Sequence, residues 1–162
     1  MKIRLRPALI VSLAGFLSCA GLLASTGEFY ELKLPAGTSG HVVKVTETHT
    51  LVGNAGASYA GKSAVGEVLV FSNNSGKLLR RLRSKNPYPN SQFGRLMAVQ
   101  GQVAYVTEGS TFVHAIDLTN GKLLWTTTTE SGPGSALPGK SVQIGSLAVE
   151  GDRLYLGLPE AW

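Results

Sequence analysis

Four basic residues are the side chains of this sequence whose spacing most directly suggests chemistry. Arg80, Arg81, Arg83 and Lys85 lie within one strand-like run and form the densest positive cluster of the chain. Such a cluster suits an anionic partner, for example a lipid headgroup or a polysaccharide. Charge along an exposed sheet edge also blocks pairing with other chains, so edge protection is the alternative interpretation.

The histidines and acidic residues show no arrangement typical of a catalytic or metal site. His41, His49 and His114 match no H-x-H or H-E-x-x-H spacing. A metal shared by His41 and His49, on paired predicted strands, is the functional alternative to solvated or core-edge side chains. No Gly-x-Ser-x-Gly elbow occurs, and Asp117 and Asp152 flank turns, where carboxylates bond turn N–H groups. We therefore predict no catalytic, cofactor-binding or metal residues and a protein that is not an enzyme.

The first 25 residues have the form of an export segment. A basic start, MKIRLR, precedes an uncharged apolar run and then small residues, as in a secretory signal peptide. The tetrapeptide before and including Cys19, Phe-Leu-Ser-Cys, resembles a bacterial lipobox, which makes Cys19 a candidate lipidation site. An uncleaved membrane anchor is the third interpretation. We expect a periplasmic, cell-surface or extracellular protein, attached to a membrane only through this segment.

Charge and cysteine content exclude several classes of protein. Three of the five formal positive charges belong to Lys2, Arg4 and Arg6, so the remaining chain is close to neutral and gives no case for nucleic-acid binding. Cys19 is the single cysteine, which excludes an intramolecular disulfide and a cysteine-rich metal site.

A repeat organises the rest of the chain. VLVFSNNSGKLLR, residues 68–80, aligns with VHAIDLTNGKLLW, residues 113–125, at an offset of 45 positions. Upstream of each hairpin lies a second strand pair, and the segment with Ala98 recurs at Ala148, 50 positions later. We predict units over residues 40–85, 93–129 and 143–162, each built from strands joined by tight turns such as Asn120-Gly121.

The apolar pattern predicts the architecture. The runs VLVF, LMAV and VAYV are nearly continuous, as in strands covered on both faces. Short antiparallel strands in units of four favour an all-β, partial β-propeller over a β-sandwich, with four-stranded antiparallel blades across residues 26–162. About two full blades and partial blades at both ends are fewer than the roughly four of a closed ring. We expect a fragment of a larger propeller, or a chain that associates with further blades or with itself.

Two families resemble these repeats. The segments from Phe93-Gly94 and Ile144-Gly145, with Gly53 and with Gly157 and Pro159 at strand ends, resemble FG-GAP repeats of integrin-α-type propellers. The hairpin over residues 113–125 also resembles the repeats of quinoprotein-type propellers, with their Ala-x-Asp, Thr-Gly and Leu-x-Trp signature. The first resemblance implies a binding or adhesion module; the second implies, as the alternative, a truncated piece of a quinone-dependent enzyme.

Departures from both families limit what the resemblance implies. Many FG-GAP blades bind Ca²⁺ through acidic loops, but the loop at residues 54–66 has no acid and the loop after Thr107 has only Glu108. No cysteine follows Cys19, whereas quinoprotein dehydrogenases usually carry neighbouring cysteines beside their cofactor. We therefore expect no cofactor, and a protein or polysaccharide ligand for a non-catalytic binding or scaffold module.

Overall fold

Antiparallel β-strands make up the regular structure of the chain. The computed structural model describes residues 4–5, 30–38, 40, 42–129 and 143–158, and this part contains no helix. In particular, none of these residues belongs to a helix that could cross a membrane. Most of the predicted export segment, Cys19, His41 and Pro159 lie outside the described residues. The strands are β1 (Arg4–Leu5), β2 (Tyr30–Glu31), β3 (Val42–Val45), β4 (His49–Asn54), β5 (Glu67–Ser72), β6 (Leu78–Leu82), β7 (Met97–Gln100), β8 (Val103–Glu108), β9 (Phe112–Asp117), β10 (Leu123–Thr128), β11 (Ser146–Glu150) and β12 (Arg153–Gly157).

Two four-stranded sheets form the centre of the fold. The first sheet has the order β3-β4-β5-β6 and the second the order β7-β8-β9-β10, so each is an up-and-down meander. The strands β11 and β12 pair as a C-terminal hairpin, and β1 pairs with β2. The prediction of an all-β chain with antiparallel four-stranded sheets is confirmed. The sheets formed by the described residues are not closed into a ring.

The turns predicted from sequence form as their residues dictate. Gly76 and Gly121 both adopt positive φ, 64° and 76°, at equivalent places between the third and fourth strands. Asp117 accepts a hydrogen bond at Oδ1 from the Thr119 backbone N–H at 2.7 Å, which confirms the role expected for a carboxylate beside this turn. In both sheets the fourth strand contains a β-bulge shortly after this turn. Leu79 and Leu124 are the extra residues, and neither has a register partner on the third strand.

The Phe-Gly segment is where predicted and observed strands differ. The sequence predicts a strand from Phe93, but β7 begins at Met97. Gly94 has φ +84°, and a Cβ there would lie 2.6 Å from Val68 Cγ2. Its N–H donates instead to the Thr107 carbonyl oxygen at 2.9 Å. The segment is therefore a junction that fits between the two sheets, and Gly145 repeats the contact by donating to the Gly157 carbonyl oxygen at 2.8 Å.

Apolar residues cover both faces of the first sheet. One cluster joins it to the second sheet and includes Leu51, Val70, Phe93, Met97 and Val106. The opposite face packs Val52, Leu69 and Phe71 beneath Leu32, with Leu34 beside them. This double coverage explains the nearly continuous apolar runs of β4 and β5.

The first strands of successive units lie side by side. Strand β7 contacts β3 of the first sheet and also β11 of the C-terminal hairpin. The fourth strands, β6 and β10, lie at the far edges of their sheets. The sheets therefore pack against one another with their first strands adjacent and their fourth strands apart.

Candidate functional site

A cleft separates the outer parts of the two sheets. It encloses about 570 Å³, within the roughly 300–1,000 Å³ range of small-molecule sites. One wall consists of residues 81–86 together with Tyr88, which follow or belong to β6. The other wall comes from β9 and β10 and includes Phe112, His114, Leu123 and Thr126. The cleft thus depends on both repeat units.

Strand register places three polar residues in a row along the second wall. Thr126 of β10 pairs directly with His114 of β9, so both side chains project from the same face. Thr126 Oγ1 lies 2.9 Å from His114 Nδ1. On the other side of the ring, His114 Nε2 lies 2.9 Å from Oε2 of Glu108, the last residue of β8. The imidazole also contacts the Phe93 ring, with the centroids 5.7 Å apart.

The hydrogen bonds of this row set the orientation of the imidazole. An ionised Glu108 only accepts, so His114 Nε2–H donates to Oε2. In the neutral imidazole Nδ1 then accepts from the Thr126 hydroxyl, and the lone pairs of Thr126 Oγ1 are left for another donor. The row is a fixed array of hydrogen-bonding atoms in the wall of the cleft.

Glu108 is a buried carboxylate with one oxygen unused. Its side chain is 7% exposed, and Oε1 has no hydrogen-bond partner within the described part of the chain. A buried acceptor without a donor typically costs about 1–3 kcal/mol. Tyr59 lies within the field of this carboxylate: burial raises the pKa of the Tyr59 hydroxyl, and the negative charge of Glu108 raises it further. The free oxygen is the clearest unsatisfied group of the cleft.

The four predicted basic residues are divided by the alternation of the strand. Arg81 and Arg83 lie on the same face and each forms an ion pair with Glu67 at 2.8 Å. Arg80 faces the second sheet and donates from Nη2 to the Thr119 carbonyl oxygen at 3.0 Å. Successive residues of a strand point to opposite faces, so a dense cluster in sequence is not one patch in space.

Lys85 is the member of the predicted cluster that remains available to a ligand. It is exposed, lines the cleft and forms no hydrogen bond or ion pair with any described residue. Arg81 and Arg83 also border the cleft, but Glu67 holds their guanidinium groups. The anionic-partner hypothesis therefore rests mainly on Lys85.

The two described histidines, His49 and His114, lie in different sheets. His49 lies in β4 of the first sheet, and its Nδ1 lies 2.8 Å from Thr48 Oγ1. Burial, and then the positive charge of Arg80, hold the pKa of His49 below its usual value. Among the described residues no three His, Cys, Asp or Glu side chains are grouped so that they could hold a metal ion.

Sequence reasoning missed the pairing of Glu108 with His114. The signal was present: Glu108 ends one strand, His114 lies two residues into the next, and a short turn joins them. Sequence could not show that a cleft lies between the two sheets beside Glu108 and His114. Trp125 faces the other way and packs on Tyr105, with ring centroids 5.8 Å apart.

Comparison with known proteins adds no relative to this picture. A scan against models of protein families finds no match to the chain, and a search of curated proteins finds no significant match.

Proposed function

We propose that this chain is an exported repeat module of β-propeller type, related in pattern to FG-GAP repeats, that binds a ligand and does not catalyse a reaction. The side-by-side packing of β3, β7 and β11 supports successive blades around an axis. The contacts of Gly94 and Gly145 at equivalent strand ends support a common blade junction. The same proposal includes further blades, or further copies of this chain, packed beside the described sheets around that axis.

The observation that carries the binding role is the cleft with its unpaired Glu108 oxygen. Native structures rarely leave a buried acceptor without a donor. A ligand that supplies the donor satisfies Oε1, while Lys85 is available to an anionic group. Binding thus explains two features that packing of the two sheets leaves unexplained.

The quinoprotein-like hairpin signature supports a second candidate, a piece of a quinone-dependent enzyme. This alternative predicts that added quinone binds with a change in its absorbance spectrum and supports dye reduction with an alcohol or sugar. The binding proposal predicts neither response.

Blocking the cleft tests the proposal directly. Thr126→Trp places an indole in the cleft without removing a core residue, whereas Thr127→Trp places it on the opposite face of the same exposed strand. The full chain and both variants are applied to arrays of glycans and lipids. We expect the wild type and Thr127→Trp to bind the same ligands and Thr126→Trp to lose them. Equal binding by all three proteins, or none by the wild type, would reject the cleft as a binding site.

A further inference from the structure

The interior of the cleft requires a hydrogen-bond donor. Glu108 Oε2 is satisfied by His114, but Oε1 is buried and unpaired among the described residues. Thr126 Oγ1, which lies 2.9 Å from His114 Nδ1, also keeps at least one lone pair whichever of the two groups donates. These two acceptors suit a ligand with several hydroxyl groups, because each hydroxyl donates one hydrogen bond.

The walls of the cleft offer aromatic surface. Tyr88, which is 40% exposed, lies on one side and Phe112 on the other. The face of an aromatic ring carries partial negative charge, so it attracts the weakly positive C–H groups on the flat face of a pyranose. Polar acceptors inside an aromatic-walled cleft are a combination that suits a sugar ring.

The mouth of the cleft offers positive charge. Lys85 is exposed and unpaired among the described residues, and the Glu67-bound Arg81 and Arg83 border the same opening. Lys85 attracts a carboxylate and repels a basic peptide, whereas the charges of Arg81 and Arg83 are engaged by Glu67. A membrane surface is too broad to enter a cleft of this volume and to reach Glu108.

We infer that the cleft binds an acidic saccharide: hydroxyl groups donate to Glu108 and Thr126, a sugar face packs on Tyr88 and Phe112, and a carboxylate contacts Lys85. This inference names the ligand class of the proposed binding site and rests on that proposal. The predicted anionic partner is then a polysaccharide that contains uronate units.

A pair of oligosaccharides that differ only at C6, where one has a primary alcohol and the other a carboxylate, tests the inference. Calorimetric titration of the full chain uses glucuronate oligomers, made by oxidising the primary alcohols of cello-oligosaccharides, and the parent cello-oligosaccharides of the same length. Charge-assisted hydrogen bonds are about twice as strong as neutral ones, so we expect the glucuronate form to bind about tenfold more tightly. Phosphatidylglycerol vesicles are titrated in parallel as a second anionic surface.

Substitutions at Lys85 and Glu108 test the contact with the carboxylate and the contact with the hydroxyl groups separately. Lys85→Gln should remove the preference for the charged oligomer, whereas Lys77→Gln, at an exposed turn of the first sheet outside the lining of the cleft, should preserve it. Glu108→Gln should weaken both oligomers about fivefold, because an amide is a weaker acceptor than a carboxylate. Thermal unfolding is recorded for each variant, and the exposed Lys85 provides the decisive comparison if the Glu108 variant unfolds.

The outcomes separate this inference from the broader proposal. Equal binding of both oligomers, or a preference unchanged in Lys85→Gln, overturns recognition of an acidic saccharide while a Thr126→Trp-sensitive cleft stands. Vesicle binding that Thr126→Trp abolishes, without oligomer binding, also overturns the inference and leaves the proposed function. If neither oligomers nor vesicles bind and the arrays are blank as well, both are rejected.

Discussion

Leu69 of the first sheet and His114 of the second occupy the same register position on the equivalent face of each sheet. The two faces differ in what covers them. Leu69 pairs with Val52 and is fully buried beneath Leu32. His114 pairs with Val106 and lines an open cleft. The same place in the repeat is thus a closed core in one sheet and a candidate site in the other.

The neighbours of these two residues differ in a matching way. In the first sheet, Glu67 and Arg81 flank Leu69 and neutralise each other at 2.8 Å. In the second sheet, Phe112 and Thr126 stand at the equivalent positions, so Glu108 pairs with His114 and retains a free oxygen. The comparison teaches that a repeat scaffold can become a binding surface by changing a few side chains and what covers them.

Exchanging the residue between the two faces should produce the largest effect. Leu69→His replaces a fully buried leucine, packed with Val52, Phe71 and Leu32, by a polar imidazole. The flanking Glu67 is already held by Arg81 and Arg83. The loss of leucine packing and the burial of a polar ring on this face should lower the free energy of unfolding by about 4 kcal/mol. Urea denaturation measures the change.

A matched substitution shows whether burial causes that effect. Leu124→His changes an exposed leucine at the bulge of β10, which is 52% exposed, and should change stability by less than about 0.5 kcal/mol. A Leu69→His variant as stable as Leu124→His would contradict the closed face described for the first sheet.

Much of the fold was predictable because it depends on local periodicity. The apolar runs and the turns at Gly76 and Gly121 predicted the number, order and approximate bounds of the strands in the two four-stranded sheets. The start of β7 was not predictable, because the conformation of Gly94 depends on its contact with Val68 in the other sheet. Sequence alone does not contain that contact.

The candidate site was predictable only in part. The basic cluster at residues 80–85 was recognised, but strand alternation and the carboxylate of Glu67 divide it, and no pattern within the cluster reveals this. His114 was interpreted as a solvated or core-edge residue. Its contact with Glu108 follows from hairpin register, whereas the cleft follows from the packing of two sheets.

The ion pairs of the first sheet should produce a smaller effect than the Leu69 exchange. Glu67→Gln leaves Arg81 and Arg83 without a carboxylate, and their side chains are 35% and 41% exposed. Breaking a fully buried pair costs about 3–5 kcal/mol, and solvent screening of these half-open arginines should reduce the loss to about 2 kcal/mol. Urea denaturation at low and high salt checks this, with Glu150→Gln on the exposed β11 as the control. Equal stability of the two variants would mean that Glu67 does not hold the arginines.

The smallest expected effect on stability comes from His49, the first residue of β4. The equivalent residue of the second sheet is Val103, which has no titratable group. Burial, and then Arg80, hold the pKa of His49 below 6.5, so the unfolded chain binds the proton more readily than the folded chain. The stability that depends on neutral His49 is therefore present above pH 6.5 and is lost as the pH falls through the lowered pKa. Between about pH 7 and pH 5, the wild type should lose more stability than His49→Gln, which has no proton to bind there.

Asp117 does not affect this measurement. Hydrogen bonds, first from the Thr119 hydroxyl, hold the pKa of Asp117 below 3.8, outside this range. Parallel stability–pH curves for the wild type and His49→Gln would show that the first sheet does not disfavour the charged imidazole.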